Sequence, residues 1–130
     1  MALDRAQGLA AQAGVDGAVT WIEADLVEYQ PPPAAFDLIL LLFVHPHADE
    51  RARLLVRAVD ALASGGTILV VGYDTANATE GDGGVRDPTL LFSPHDIARE
   101  LPGLRVERAE QLRVGQAVDA IVRATKPDAG

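Results

Sequence analysis

Seven consecutive apolar residues run from Leu38 to Val44, between Asp37 and His45. The run is too short to cross a bilayer, which takes about 20 apolar residues. It shows no strict alternation, so it predicts a strand covered on both faces, as at the centre of a parallel sheet. Ahead of it, Ala2 to Ala13 carry Leu3, Ala6, Leu9, Ala10 and Ala13 at helical spacing, and Gly14 is a natural stop. AVTWIEADL, Ala18 to Leu26, predicts a strand. EYQPPPAAF then predicts a loop, because three successive prolines continue neither a helix nor a ladder.

Behind the apolar run, Asp49 and Glu50 open a helix that reaches about Ala63, with Leu54, Leu55, Ala58, Val59 and Leu62 as its stripe. Acids in its first turn suit the positive end of the helix, and Gly65 and Gly66 are its expected stop. TILVVGY, Thr67 to Tyr73, predicts a second buried strand. The loop from Asp74 to Leu91 contains TEGDGG, and loops of that length in compact domains are usually functional or mobile. Ser93 is the expected N-cap of a third helix, SPHDIAREL, with Pro94 in its first turn. LRVERAEQL and AVDAIVRAT alternate as two closing strands, antiparallel to each other, before a tail at 126–130 that is expected to fray. Helices alternating with strands predict an α/β fold.

Composition narrows the function. A chain of 130 residues, 48% hydrophobic and 23% charged, fits one soluble domain with a real core. A net charge of -8 argues against nucleic-acid and anionic-membrane surfaces, which need basic patches. The absence of cysteine excludes disulfides, thiolate metal sites and cysteine nucleophiles. MALDRAQGLA lacks the basic segment and apolar core of a secretion signal, so a cytoplasmic location is expected.

Four segments then carry a resemblance. EADL places an acid at a predicted strand end, and FDLILLLFVH follows about a dozen residues on, opening with Phe-Asp. LASGGTILVVGY and RVERAEQLRVGQAVDAIVRATK complete the order. Together they resemble the C-terminal two-thirds of a class I S-adenosylmethionine-dependent methyltransferase of the kind that acts on small molecules. The resemblance implies a single, partial domain over 1–130. Its fold would be a three-layer Rossmann-like sheet, truncated at the N-terminus, mostly parallel with an antiparallel C-terminal pair. Family members begin with a strand, a G-x-G turn and a helix, and a second strand then ends in an acid that holds the ribose. No G-x-G occurs in the first half of this sequence, and GDGG at 81–84 follows the wrong strand. S-adenosylmethionine is thus the implied cofactor, with weak or absent binding expected for this chain alone.

The resemblance implies site residues. Asp25 corresponds to the acid that accepts from the adenine amino group, and Leu26 would touch the ring. Asp37 corresponds to a structural aspartate. His45, at the C-terminal end of its strand, stands where open α/β sheets place ligands and could accept a substrate proton. Tyr73 and Asp74 end the neighbouring strand at the same lip. Asp74, Glu80, Asp82 and Asp87 read as a solvated loop surface, and Trp21, inside a predicted strand, reads as core. His47, Asp49 and His95 have no metal-binding spacing, so no metal is expected. Two functions stay open: a methyltransferase for a small-molecule substrate, or the C-terminal part of one; and a non-catalytic remnant that acts as an oligomeric or partner-binding subunit. No nucleic acid and no membrane are expected as partners. A bare 37–44 strand edge would invite association, so a homodimer, or pairing with another chain through that edge, is expected. The alternative is that AVTWIEADL slides over to pair with it.

Overall fold

The computed structural model describes residues 2–26, 28–78 and 89–128. In chain order its main elements are α1 (Ala2–Gln12), β1 (Phe36–Leu42), α2 (Ala48–Ala61), β2 (Leu62–Tyr73), α3 (Pro94–Arg99), β3 (Arg105–Val114) and β4 (Ala117–Thr125). Short 3-10 turns occupy Asp16–Ala18 and Thr75–Ala78. No helix among the described residues is long and apolar enough to cross a membrane. The TEGDGG segment, at 79–84, lies outside the described residues.

Local chemistry explains most boundaries. Gly14 at φ 75° lets α1 close in a Schellman turn: its amide donates to the Ala11 carbonyl at 3.2 Å, and the Val15 amide to Ala10 at 3.0 Å. Ser93 caps α3 as expected. Its hydroxyl accepts from the Asp96 amide while its own amide donates to the Asp96 carboxylate, a complete capping box behind Pro94. One boundary moves. The second helix was expected to reach Ala63 and stop at the glycines, but α2 ends at Ala61. Leu62, fully buried, already has extended backbone (φ -81°, ψ 127°). The last carbonyls of α2 take their partner from far along the chain, since Lys126 Nζ donates to Val59 O at 3.1 Å and Leu62 O at 2.8 Å. Lys126 is therefore anchored rather than part of a frayed tail; residues 129–130 lie outside the described residues.

The sheet order is β1-β2-β4-β3. β1 runs parallel to β2, while β4 runs antiparallel to both β2 and β3. One face carries the core. Ile39 and Leu41 of β1, Ile68 and Val70 of β2, and Ala120, Val122 and Ala124 of β4 pack with Leu55 and Ala58 of α2, Ile97 of α3, and Phe92. Arg51 of α2 joins the two helices, with Nε and Nη2 donating to both carboxylate oxygens of Glu100 at 2.8 and 3.1 Å.

Three expectations are corrected here. Ala18 to Leu26 form no strand; only a 3-10 turn and irregular backbone occupy that stretch. The segment has β-forming residues but no sheet edge beside it to complete a ladder, and Ile22 stays exposed. Trp21, expected in the core, is half-buried. With that strand unformed, one of the three strand pairings is parallel. The run Leu38 to Val44 was expected to be covered on both faces. Instead, among the described residues β1 is the outer strand of the sheet, and on the face away from the core Leu38, Leu40 and Leu42 are 57%, 50% and 49% exposed.

Candidate functional site

The C-terminal ends of the parallel pair form a lip, and its shape begins with a backbone turn. β1 stops at Leu42, and Phe43 takes the left-handed conformation at φ 55° while its amide still donates to Val71 O at 2.6 Å. An aromatic residue there is unusual, and such backbone persists where the surroundings fix it. The turn sets the Phe43 ring 5.0 Å from that of Tyr73, and two residues on it delivers His45 across the end of β2.

His45 is held on every side. Its ring stacks between Tyr73, 5.4 Å away, and Phe92, 5.1 Å away. The Tyr73 amide donates to Nε2 at 3.0 Å, and Nδ1 lies 2.9 Å from the Leu90 carbonyl. An amide can only donate and a carbonyl can only accept, so both bonds are met by the neutral imidazole with its proton on Nδ1. Neither nitrogen is left for a substrate proton in this arrangement. Gly72 makes the fit. A Cβ there would stand 2.4 Å from the Phe92 ring and 3.0 Å from His45.

Beside this aromatic group lies a polar one. Asp74, fully buried, accepts through Oδ2 from the Ala76 amide at 2.8 Å, Gln111 Nε2 at 2.9 Å and Thr75 Oγ1 at 3.3 Å. Its Oδ1 is buried with no hydrogen-bond partner among the described residues. Asn77 clamps the same turn to β4, donating to the carbonyls of Asp74 and Val118 and accepting from the Val118 amide. Asp119 faces Tyr73 across the β2–β4 ladder, and its loss of solvent on burial raises its carboxyl above the usual carboxylate range.

The other expected residues lie elsewhere. Asp25 sits in a turn rather than at a strand end, its carbonyl accepting from the Glu28 and Tyr29 amides. Leu26 lines an apolar cleft of about 260 Å³ with Tyr29 and Pro31, the Phe36 end of β1, and the second half of α2. The structure brings His45, Tyr73 and Asp74 together, and it places Leu26 in a separate cleft beside β1 and α2, with Asp25 in the adjoining turn. Asp37 lies within β1, beside the register shift between Phe36 and Leu38. Sequence reasoning passed over Phe92, Gly72, Asn77 and Gln111. The one available signal was a glycine inside an apolar strand, which marks a close approach by another group.

At this lip the described residues offer S-adenosylmethionine no glycine cradle. A pyrophosphate-free nucleoside of that kind still needs backbone that it can approach closely, with glycine at a strand-to-helix turn. At the β1-to-α2 turn, the one such turn of the parallel pair, the residues are Phe43 to His47. Gly72, at the end of β2, is already filled by Phe92 and His45.

Comparison with known proteins agrees with the fold. Residues 1–70 match a methyltransferase domain family, which is more than half of the chain. A 68-residue stretch is 32% identical to ajmaline N-methyltransferase of Rauvolfia serpentina, covering 52% of this chain and 23% of that enzyme. Among solved structures, the cyclase SpnF superposes with a TM-score of 0.74 at 16% identity, over 98% of this chain and 64% of its own. The N-methyltransferase NodS from Bradyrhizobium japonicum WM9 gives 0.67 at 17% identity, over 95% and 69%. The S-adenosylmethionine-dependent methyltransferase SibL gives 0.69 at 21% identity, over 96% and 40%. This chain thus spans about a quarter of the plant enzyme and less than two thirds of the cyclase. With the family match reaching from α1 into β2, over more than half of its length, the chain belongs to the class I S-adenosylmethionine-dependent methyltransferases.

Proposed function

We propose that this chain is the acceptor-side portion of an S-adenosylmethionine-dependent methyltransferase for a small molecule, and that by itself it binds the cofactor weakly or not at all. One observation supports this most. The ends of β1 and β2 present the rings of Phe43 and Tyr73 beside a locked His45, which buried Phe92 backs from the core. That is where open α/β sheets receive ligands. Methyl transfer needs little from side chains beyond holding the acceptor in line and excluding water, and a rigid aromatic lip suits that work. In this reading His45 orients the lip through its two hydrogen bonds and takes no proton.

A non-catalytic, partner-binding role is the second reading. It is favoured by the commitment of both His45 nitrogens.

Calorimetric titration of the purified chain with S-adenosylhomocysteine tests the proposal. The expected dissociation constant is millimolar or weaker. A pair of charge-assisted hydrogen bonds to the ribose is worth about 3 kcal/mol or more, and about 1.4 kcal/mol is tenfold in affinity. Any residual affinity falls with Asp25→Ala and stays nearly unchanged with His45→Ala. A micromolar constant for the wild-type chain overturns the proposal, and equal losses in the two variants overturn the assignment of Asp25.

A further inference from the structure

The start of β4 holds a charge that no described residue answers. Asp119 is 8% exposed, and among the described residues its carboxylate has neither a hydrogen bond nor an ion pair. Buried carboxylates are ordinarily bonded or paired, so an orphan one calls for a reason. Its position narrows that reason. The Asp74 amide donates to the Val118 carbonyl at 2.9 Å, so by the alternation of an antiparallel ladder Tyr73 and Asp119 form the next, closer pair, with Cα atoms about 4.5 Å apart and side chains on one face. Asp119 therefore stands beside Tyr73 at the end of β2, and the Phe43 ring lies 5.0 Å from that of Tyr73. On its other side Leu112 of β3 is the ladder partner, and Ile121 follows along β4 on the same face. The two arginines of β3 and β4 that share this face are already engaged. Arg108 pairs with Glu110, and Arg123, four residues along β4, pairs with Glu107.

We propose that Asp119 selects the acceptor by binding an ammonium group of a small-molecule substrate whose apolar body lies on Tyr73 and Phe43. The inference rests on the lip being the acceptor's place. Three features agree on a cation. A carboxylate short of solvent gains a charge-assisted hydrogen bond when an ammonium arrives, and that bond is stronger there than in water. The faces of Tyr73 and Phe43 attract the same charge through their ring quadrupoles. Asp74, whose bonds come from a backbone amide, a side-chain amide and a hydroxyl, adds negative charge one residue past Tyr73 with no cation bonded to it. Size agrees as well. So little of Asp119 is left open that the site admits one small cationic head and no broad surface. A neutral analogue would cover the carboxylate without pairing it, and a site with an unpaired buried charge rejects such a ligand. No bond is made or broken at Asp119; it positions and selects.

Benzylamine, with benzyl alcohol as its uncharged counterpart, tests this on the isotope-labelled chain by nuclear magnetic resonance, with no cofactor present. At neutral pH benzylamine is expected to bind at least tenfold tighter than benzyl alcohol and to move the amide signals of Tyr73 and Asp119. Burial raises the Asp119 carboxyl, and bound benzylamine is expected to bring its titration down again. Asp119→Asn relieves a buried charge, so it is expected to stay folded and to erase the preference for the amine. Asp60→Asn removes the same charge from an exposed position of α2 and is expected to keep that preference. Equal binding of the two probes by the wild-type chain, or no binding of either at about 10 mM, overturns the proposal. So does a preference that survives Asp119→Asn or is lost in Asp60→Asn. Because no cofactor takes part, these outcomes stand apart from the S-adenosylhomocysteine titration: a micromolar constant there overturns the reading of cofactor binding and leaves the amine preference standing.

Discussion

Gly72 shows how much one missing side chain decides. The strand could carry any β-branched residue there, yet Phe92 and His45 occupy the volume a Cβ would take. Gly72→Ala is expected to cost about 2–3 kcal/mol in urea unfolding, because a core ring and a hydrogen-bonded imidazole must both shift. Arg51 is the matching case of a charge that must keep its partner. It is buried, stacks 5.6 Å over Phe92, and gives two bonds to Glu100. Glu100→Gln leaves that guanidinium under-compensated and is expected to lower stability by about 2–3 kcal/mol. Two carboxyls set opposite pH trends. The Ser93 amide, donating to Asp96, holds that group below its ordinary value, so its stabilising share is present at neutral pH and is lost as pH falls below about 3.8. Burial raises Asp119, so its ionisation weakens the fold as pH rises above the same point. Asp119→Asn is therefore expected to stabilise the chain by about 1 kcal/mol or less at pH 7 and to give no gain at pH 3, read from denaturant midpoints at the two pH values.

Elements were legible where the signal is local. The cap at Ser93, the stop at Gly14 and the antiparallel pairing of β3 with β4 each depend on neighbours a few residues away, and each is found, although β3 is exposed along its whole length and β4 is buried almost throughout, without alternation. Ser93→Ala is expected to cost about 1 kcal/mol, with thermal unfolding as the readout. AVTWIEADL failed because a strand is a property of two segments: its residues favour the extended state, but nothing in the stretch itself says whether a neighbour exists. The end of α2 failed for a related reason. Its last carbonyls are satisfied by Lys126, 64 residues after Leu62, and no local reading could supply that donor. Lys126→Met keeps the aliphatic stem and removes the donor, and about 1–2 kcal/mol of stability is expected to go with it. The site was legible as a location and not as chemistry. His45 at a strand end could be read from the apolar run, whereas the bonds that occupy its nitrogens come from Leu90 and Tyr73, which only the folded chain brings near.

For the molecule as a whole, the strand formed last in chain order does not lie last in the sheet. β4 is inserted between β2 and β3, bonding both. Until it arrives, β3 has no partner and the two ladders around it do not exist. Register pairs such as Ile68 with Ala124 join residues more than fifty positions apart, which slows closure. Synthesis on the ribosome therefore leaves β2, with its row of Ile68, Leu69, Val70 and Val71, waiting without its central neighbour through the making of α3 and β3. During that interval the nascent chain has two apolar strands and no closed sheet, and it is then, more than after release, that a chaperone would find it.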